Sequence, residues 1–339
     1  MSRELLRKFR MLFMVGGLTA CVNVWAAGED GRNDGNDGNE GKAWADLPLP
    51  ELGVRLINRE PLKEFRTRFW IRMPQIPLEW GTVHNVFDIE FEGPTGMKFI
   101  GSRVLEGGVL EVRNRLGTHP HVILVSELTP APGRVQLVVR AQLDPEMGIG
   151  KELPEELPEL NMCPRLERAR GCFDSYPDPF SEIIGRCFIY TDKGRTFLDQ
   201  TVRRKLSKFS DDDPRNNPPW IQIYGPIWRP VPKGTDPTWK SRYNSSSDRF
   251  TIPILGVVSR DRKHLIAVAS DTSQKLCQAW VPCIHNYPQW DPKDAPPAAR
   301  RWRMNIYIMP NDSDLLLERV AEDLPDALKL QEKRVPATH

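Results

Sequence analysis

The 339-residue sequence predicts a mainly β protein: an antiparallel β-sandwich, or at this length a large supersandwich, with long proline-rich loops and a short C-terminal helix. Three observations carry the prediction. Apolar and polar residues alternate with period two in several segments, as they do in strands with one buried and one wet face. Turn-forming residues separate these segments at intervals of about 8–12 residues, the spacing of all-β sandwiches. The chain holds 31 prolines, each of which removes a helix or ladder donor and so favours short strands joined by ordered loops.

Residues 1–26 read as an export signal. Arg3, Arg7, Lys8 and Arg10 precede an apolar run over 11–22, and Val24-Trp25-Ala26 supplies a small-residue cleavage site. The run is shorter than the roughly 20 residues a spanning helix needs. Leu18-Thr19-Ala20-Cys21 also fits a lipobox, in which the cysteine is acylated after cleavage. A soluble product released after Ala26 therefore competes with one anchored through lipid on Cys21, where each buried CH₂ contributes about 0.8 kcal/mol. Either product is exported, to a periplasmic, extracellular or envelope-anchored location, and any membrane association is expected through that anchor alone.

Residues 27–46 form a linker. Its stretch 28–42, GEDGRNDGNDGNEGK, has no apolar residue and cannot bury enough surface to offset its ordering entropy. It also lacks the DxDxDG frame and terminal Glu of a calcium loop. The full chain carries 47 Lys+Arg against 45 Asp+Glu, but residues 1–26 hold four of those bases and one acid, leaving 43 against 44. With no basic surplus, and no basic run after the signal longer than Arg203-Arg204-Lys205, nucleic acid is excluded as a partner on electrostatic grounds.

The region 47–143 reads as a first set of strands. In 86–92, Phe87, Ile89 and Phe91 alternate with Asp88, Glu90 and Glu92; in 134–143, Val135, Leu137, Val139, Ala141 and Leu143 fall on one face. Segments 67–73, 97–105, 109–115 and 121–128 add further strands between Gly- and Pro-containing turns. Residues 144–184 are a proline- and acid-rich connection, of the kind that is functional or joins domains. The region 185–339 resumes with strands near 185–190, 220–224, 249–259, 264–270, 275–280 and 302–309. It ends in a helix capped by Asp312 or Ser313, with Leu316, Val320 and Leu324 as its apolar stripe and Pro325 ending or kinking it. The two strand regions make either one domain or two.

Beyond Cys21, five cysteines remain. In an oxidising compartment the short-loop pairings Cys163 with Cys172 and Cys277 with Cys283 are the first disulfide candidates. Cys277 and Cys187 also sit in apolar, strand-like settings that suit buried thiols. Cys277, Cys283 and His285 resemble a metal set, but their linear spacing is poor for zinc and no fourth ligand is evident, so no metal is assigned.

Six of the ten tryptophans lie between residues 220 and 302. Several stand beside Pro, Gly, Asn or charge: Trp220, Trp228 and Trp239, then Trp280, His285, Asn286, Tyr287 and Trp290 in one segment. A flat apolar ring flanked by hydrogen-bonding groups suits the C–H face and hydroxyls of a sugar. These eight residues are the candidate ligand-binding set, expected on loops, with packing of a loop-rich face as the competing explanation. GxSxG, HExxH, P-loop and GxGxxG elements are absent from the sequence, so no nucleotide, dinucleotide or other cofactor is called for. The expectation is an exported sandwich that binds a glycan through aromatic loops, with carbohydrate-active chemistry not assigned to particular residues. The alternative is a noncatalytic envelope or interaction protein tethered by the linker. Oligomeric state is not legible.

Overall fold

Two sheets rich in antiparallel pairs stack face to face, and a helical hairpin covers the far side of one of them. The computed structural model describes residues 49–59, 64–72, 86–92, 97–157, 160–165, 180–203, 210, 212–213, 221–229, 244–279, 283–291 and 300–330. In chain order the strands are β1 (Glu51–Arg59), β2 (Glu64–Arg72), β3 (Val86–Glu92), β4 (Lys98–Val104), β5 (Leu110–Arg115), β6 (Val122–Ala131), β7 (Arg134–Leu143), β8 (Asn161–Arg165) and β9 (Cys187–Thr191). They continue with β10 (Gly194–Phe197), β11 (Gln222–Pro226), β12 (Asn244–Phe250), β13 (Ile252–Val258), β14 (His264–Ser270), β15 (Ser273–Ala279), β16 (Cys283–Pro288) and β17 (Arg301–Pro310). The α-helices are α1 (Phe180–Ile184), α2 (Ser313–Asp323) and α3 (Pro325–Lys329).

The first sheet has the order β1-β2-β3-β8-β16-β15-β11-β12 and the second β10-β9-β13-β14-β17-β7-β6-β5-β4. β11 and β12 pair in parallel, whereas the neighbouring pairings are antiparallel. Both halves of the chain build both sheets. β3 pairs with β8, and β7 pairs with β17 over a register that sets Val139 opposite Trp302. Residues Lys42–His339 accordingly form one compact unit.

The core follows from the alternation. Between the sheets lie Phe69, Ile71, Tyr224, Leu276 and Ile284 from the first and Val112, Leu124, Leu137, Val257, Ile266 and Met304 from the second. β7 buries Val135, Leu137, Val139 and Ala141, while Leu143 at its end is half-buried. β13 and β14 instead read as nearly continuous apolar runs because both of their faces are covered. Their second face, with Phe188, Tyr190, Tyr307 and Met309, packs against Leu316, Val320, Leu324 and Ala327 of the terminal helices. Asp312 caps α2 by accepting hydrogen bonds from the backbone N–H groups of Asp314 and Leu315. Pro325 opens α3 as its first residue, where its missing N–H has no helical partner to lose. No helix among the described residues is long and apolar enough to cross a membrane.

Candidate functional site

The segment expected as an aromatic loop is in large part an interior strand. Cys283–Pro288 is β16, paired with β15 on one side and β8 on the other. Asn and Pro are depleted in strands, which makes Ile-His-Asn-Tyr-Pro look like a loop; the pairing on both sides overrides that preference. Alternation then splits the candidates between two faces.

Asn286 points into the core and is fully buried. Its Nδ2 donates to the Pro253 carbonyl at 2.9 Å, and its Oδ1 accepts from Ser270 Oγ at 3.0 Å. Pro253 and Ser270 belong to the second sheet, so this amide ties the two sheets together and has its hydrogen-bonding capacity engaged in the fold. His285 and Tyr287 occupy the opposite face. Their rings stack with centroids 6.1 Å apart and planes 18° from parallel, and Lys275 Nζ lies 4.2 Å from the Tyr287 centroid.

Trp228 and Trp290 leave the sheet at one end for a topological reason. β11 and β16 each run antiparallel to β15, so they run in the same direction and release their following residues on the same side. Arg229 Nη2 donates to Gln289 Oε1 at 2.8 Å, joining the residue after Trp228 to the residue before Trp290. Both indoles are half-buried. Trp228 meets Phe250 edge-on at 5.3 Å, and Trp290 meets Trp302 at 6.2 Å and 66°. The Arg249 guanidinium fixes the first turn by donating to the carbonyls of Pro226 and Arg229. On the other side the Asp291 amide donates to the Arg301 carbonyl at 2.9 Å, and burial pushes the Asp291 carboxyl up from its ordinary pKa. Asp271, whose charge also raises the Asp291 pKa, accepts two hydrogen bonds from Arg303, of 2.6 and 2.9 Å.

Chemically, this end presents two partly exposed rings with a cation and an amide between them. Arg229 and Gln289 were not singled out from sequence, although each adjoins a candidate tryptophan. Trp220, Trp239 and Trp280 lie outside the described residues.

Cys277 and Cys187 are buried thiols, and no disulfide occurs among the cysteines whose side chains are described. The expected Cys277–Cys283 bridge is thus not formed. β15 and β16 pair Cys277 with His285 and Ala279 with Cys283, which leaves the two cysteines diagonal, about 7–8 Å apart at Cα and beyond the usual disulfide range of about 4.4–6.8 Å. Cys172 lies outside the described residues, and Cys163 sits on β8.

A separate cavity of about 390 Å³ opens beside the start of α2, lined by Tyr190, Arg195, Thr251, Ser313, Asp314 and Leu317. Arg195 stacks over Phe188 at 4.1 Å and donates to Asn311 Oδ1 at 2.7 Å. It contains none of the residues expected from sequence. The chain matches no family model and no curated protein.

Proposed function

We propose that this is an exported β-sandwich protein that binds carbohydrate at the end of its first sheet, where the Trp228 and Trp290 segments meet. The observation that supports this reading is the Arg229–Gln289 hydrogen bond, which links the two half-buried tryptophans through polar groups. A sugar ring stacked on an indole would find donors and an acceptor beside it, the pairing of apolar face and fixed polar groups that ligand sites use. The export signal of residues 1–26 and the linker of 27–46 would deliver the sandwich across a membrane and space it from the processing or anchoring site.

A second reading has its own observation. Each ring lies edge-on against a core aromatic, Phe250 or Trp302, as expected of packing in a noncatalytic envelope or interaction protein. A glycan array on the mature protein, followed by titration of any hit against Trp228→Ala and Trp290→Ala, separates the two. Carbohydrate binding predicts a loss of about 1–3 kcal/mol of affinity for each variant, the size expected for an aromatic anchor, with the fold retained. An array without hits, together with a stability loss of about 3–5 kcal/mol for Trp290→Ala, overturns the carbohydrate reading in favour of packing.

A further inference from the structure

The arginines that hold the two rim tryptophans in place have no acid of their own. Along the second sheet a different rule holds: Arg113 pairs with Glu111, Arg115 with Asp144, Arg140 with Glu127 and Arg303 with Asp271, at 2.6 to 2.8 Å. Arg229 and Arg249 meet neutral groups instead. Arg229 donates through Nη2 to the Gln289 side-chain carbonyl at 2.8 Å, and Arg249 donates to the backbone carbonyls of Pro226 and Arg229. Among the described residues neither makes an ion pair, and Arg249 Nε is buried without a hydrogen-bond partner. The neighbouring carboxylates are engaged elsewhere. Asp248, next to Arg249 in the chain, accepts from the Val202 backbone N–H, Asp291 faces Arg301 at 3.7 Å, and Asp271 holds Arg303.

A guanidinium presents its N–H donors in a planar fork that matches the paired oxygens of an oxyanion. Arg229 directs one donor to Gln289, and that bond lies at the surface. Its other donors have no side-chain acceptor among the described residues, and they stand between two half-buried indoles. Arg249 adds a second positive charge beneath the same turn. Burial pushes its guanidinium below the ordinary pKa, a desolvation cost that a nearby anion offsets. The attraction is local, because the chain after the signal holds 43 basic residues against 44 acidic ones and its net charge gives a polyanion no general pull.

We propose that the rim recognises an anionic glycan, one whose sugars carry carboxylate or sulfate groups, by stacking a sugar on Trp228 or Trp290 and pairing its charge with Arg229 in the field of Arg249. The inference rests on the carbohydrate reading above and adds the charge of the ligand. The test titrates the full chain with polygalacturonate and its methyl ester, dextran sulfate and dextran, and polyglutamate, at low and high salt. The ester keeps the sugar backbone and removes its charge; polyglutamate keeps the charge and removes the sugar. At least one charged glycan should bind about tenfold or more tighter than its neutral counterpart and than polyglutamate, with the preference shrinking as salt rises. Arg229→Gln should weaken that glycan by about tenfold or more, while Arg319→Gln, on α2, should not. Should Arg229→Gln fail to fold, the comparison of charged and neutral glycans on the parent chain still decides. Equal affinity for charged and neutral members overturns the charge assignment and leaves the carbohydrate reading standing. Polyglutamate bound as tightly as the charged glycan, or a folded Arg229→Gln that binds as the parent does, also overturns the assignment. Where none of these polymers binds, the glycan array decides: neutral hits alone overturn the charge assignment, and an array without hits removes both readings.

Discussion

Gly256→Ala should destabilise the protein although it adds one methyl group to a strand. Gly256 lies in the middle of β13, opposite Phe188 of β9 and Ala267 of β14. Its backbone does not require glycine, because it is not among the residues with positive φ; the space does. A Cβ built there would lie 2.3 Å from Phe188 Cζ, 2.6 Å from Cε1 and 2.9 Å from Cε2. The ring would have to retreat by about 1 Å or more to reach ordinary van der Waals separation. Retreat is obstructed, since Phe188 is fully buried, touches Tyr190 and Phe197 edge-on at 6.1 and 6.2 Å, and carries the Arg195 guanidinium on its face at 4.1 Å. Overpacking of this kind costs about 1–3 kcal/mol, and the confinement places this case near the upper end. Removing a glycine from a strand returns about 0.5–1 kcal/mol of backbone entropy, so the net loss should be about 2 kcal/mol. Urea denaturation of the parent, Gly256→Ala, Phe188→Leu and the double variant measures it. The smaller side chain should relieve the clash, so the double variant should be at least about 1 kcal/mol more stable than the sum of the single effects predicts. A Gly256→Ala protein within about 0.5 kcal/mol of the parent, or strict additivity, refutes the argument.

Asp323 should confer a pH dependence opposite to that of most carboxylates. It accepts from Tyr307 Oη at 3.1 Å and pairs with Arg134 at 3.1 Å, yet burial raises its pKa above the ordinary value, with Arg134 opposing the rise. The folded state therefore takes up a proton before the unfolded state does. Relative to Asp323→Asn, the parent should gain stability as pH falls through the folded-state pKa and level off below about 3.9, the unfolded value; denaturation curves showing the parent losing ground over that interval refute this. For export, mass spectrometry of material from the native host should show a chain beginning at Cys21 or Ala27, and an intact Met1 outside the cytoplasm would contradict it. Cys21→Ser should abolish membrane association only if the anchored product is the one made.

Much of the sandwich was legible because alternation is a local record of burial. β3, β7 and β14 span the residues their patterns indicated, and the Asp312 cap and Leu316/Val320 stripe located α2. β1, β8, β10, β12 and β16 are not evident from the sequence, and the segment 249–259 corresponds to β13. β8 contains Pro164 and β16 ends in Pro288, and such strands persist because their partners lie on both sides, which no local window displays. Which residues share an end of the molecule was also not legible. Trp228 and Trp290 are 62 positions apart, and their adjacency follows from β11 and β16 both pairing with β15.

The segment 277–290 shows how the same residues serve different ends once register is known. Read along the chain, His285, Asn286 and Tyr287 form one polar-aromatic cluster and invite one role. Read across the sheet, Asn286 ties the two sheets through Pro253 and Ser270, while His285 faces away from that core, opposite Cys277, with Tyr287 stacked beside it. Trp290 then lies past the end of the strand, where the Arg229–Gln289 bond connects it to Trp228. A substitution at Asn286 therefore tests the tie between the sheets, one at His285 tests the stacked pair on the outer face, and one at Trp290 tests the rim. Because β16 is paired on both sides, shifting the strand by one register position would exchange the buried and outer faces of all its residues. The strand's pairing thus fixes the buried amide and the start of the candidate rim at the same time, and substitutions at Asn286 and Trp290 should have separable effects on stability and glycan affinity.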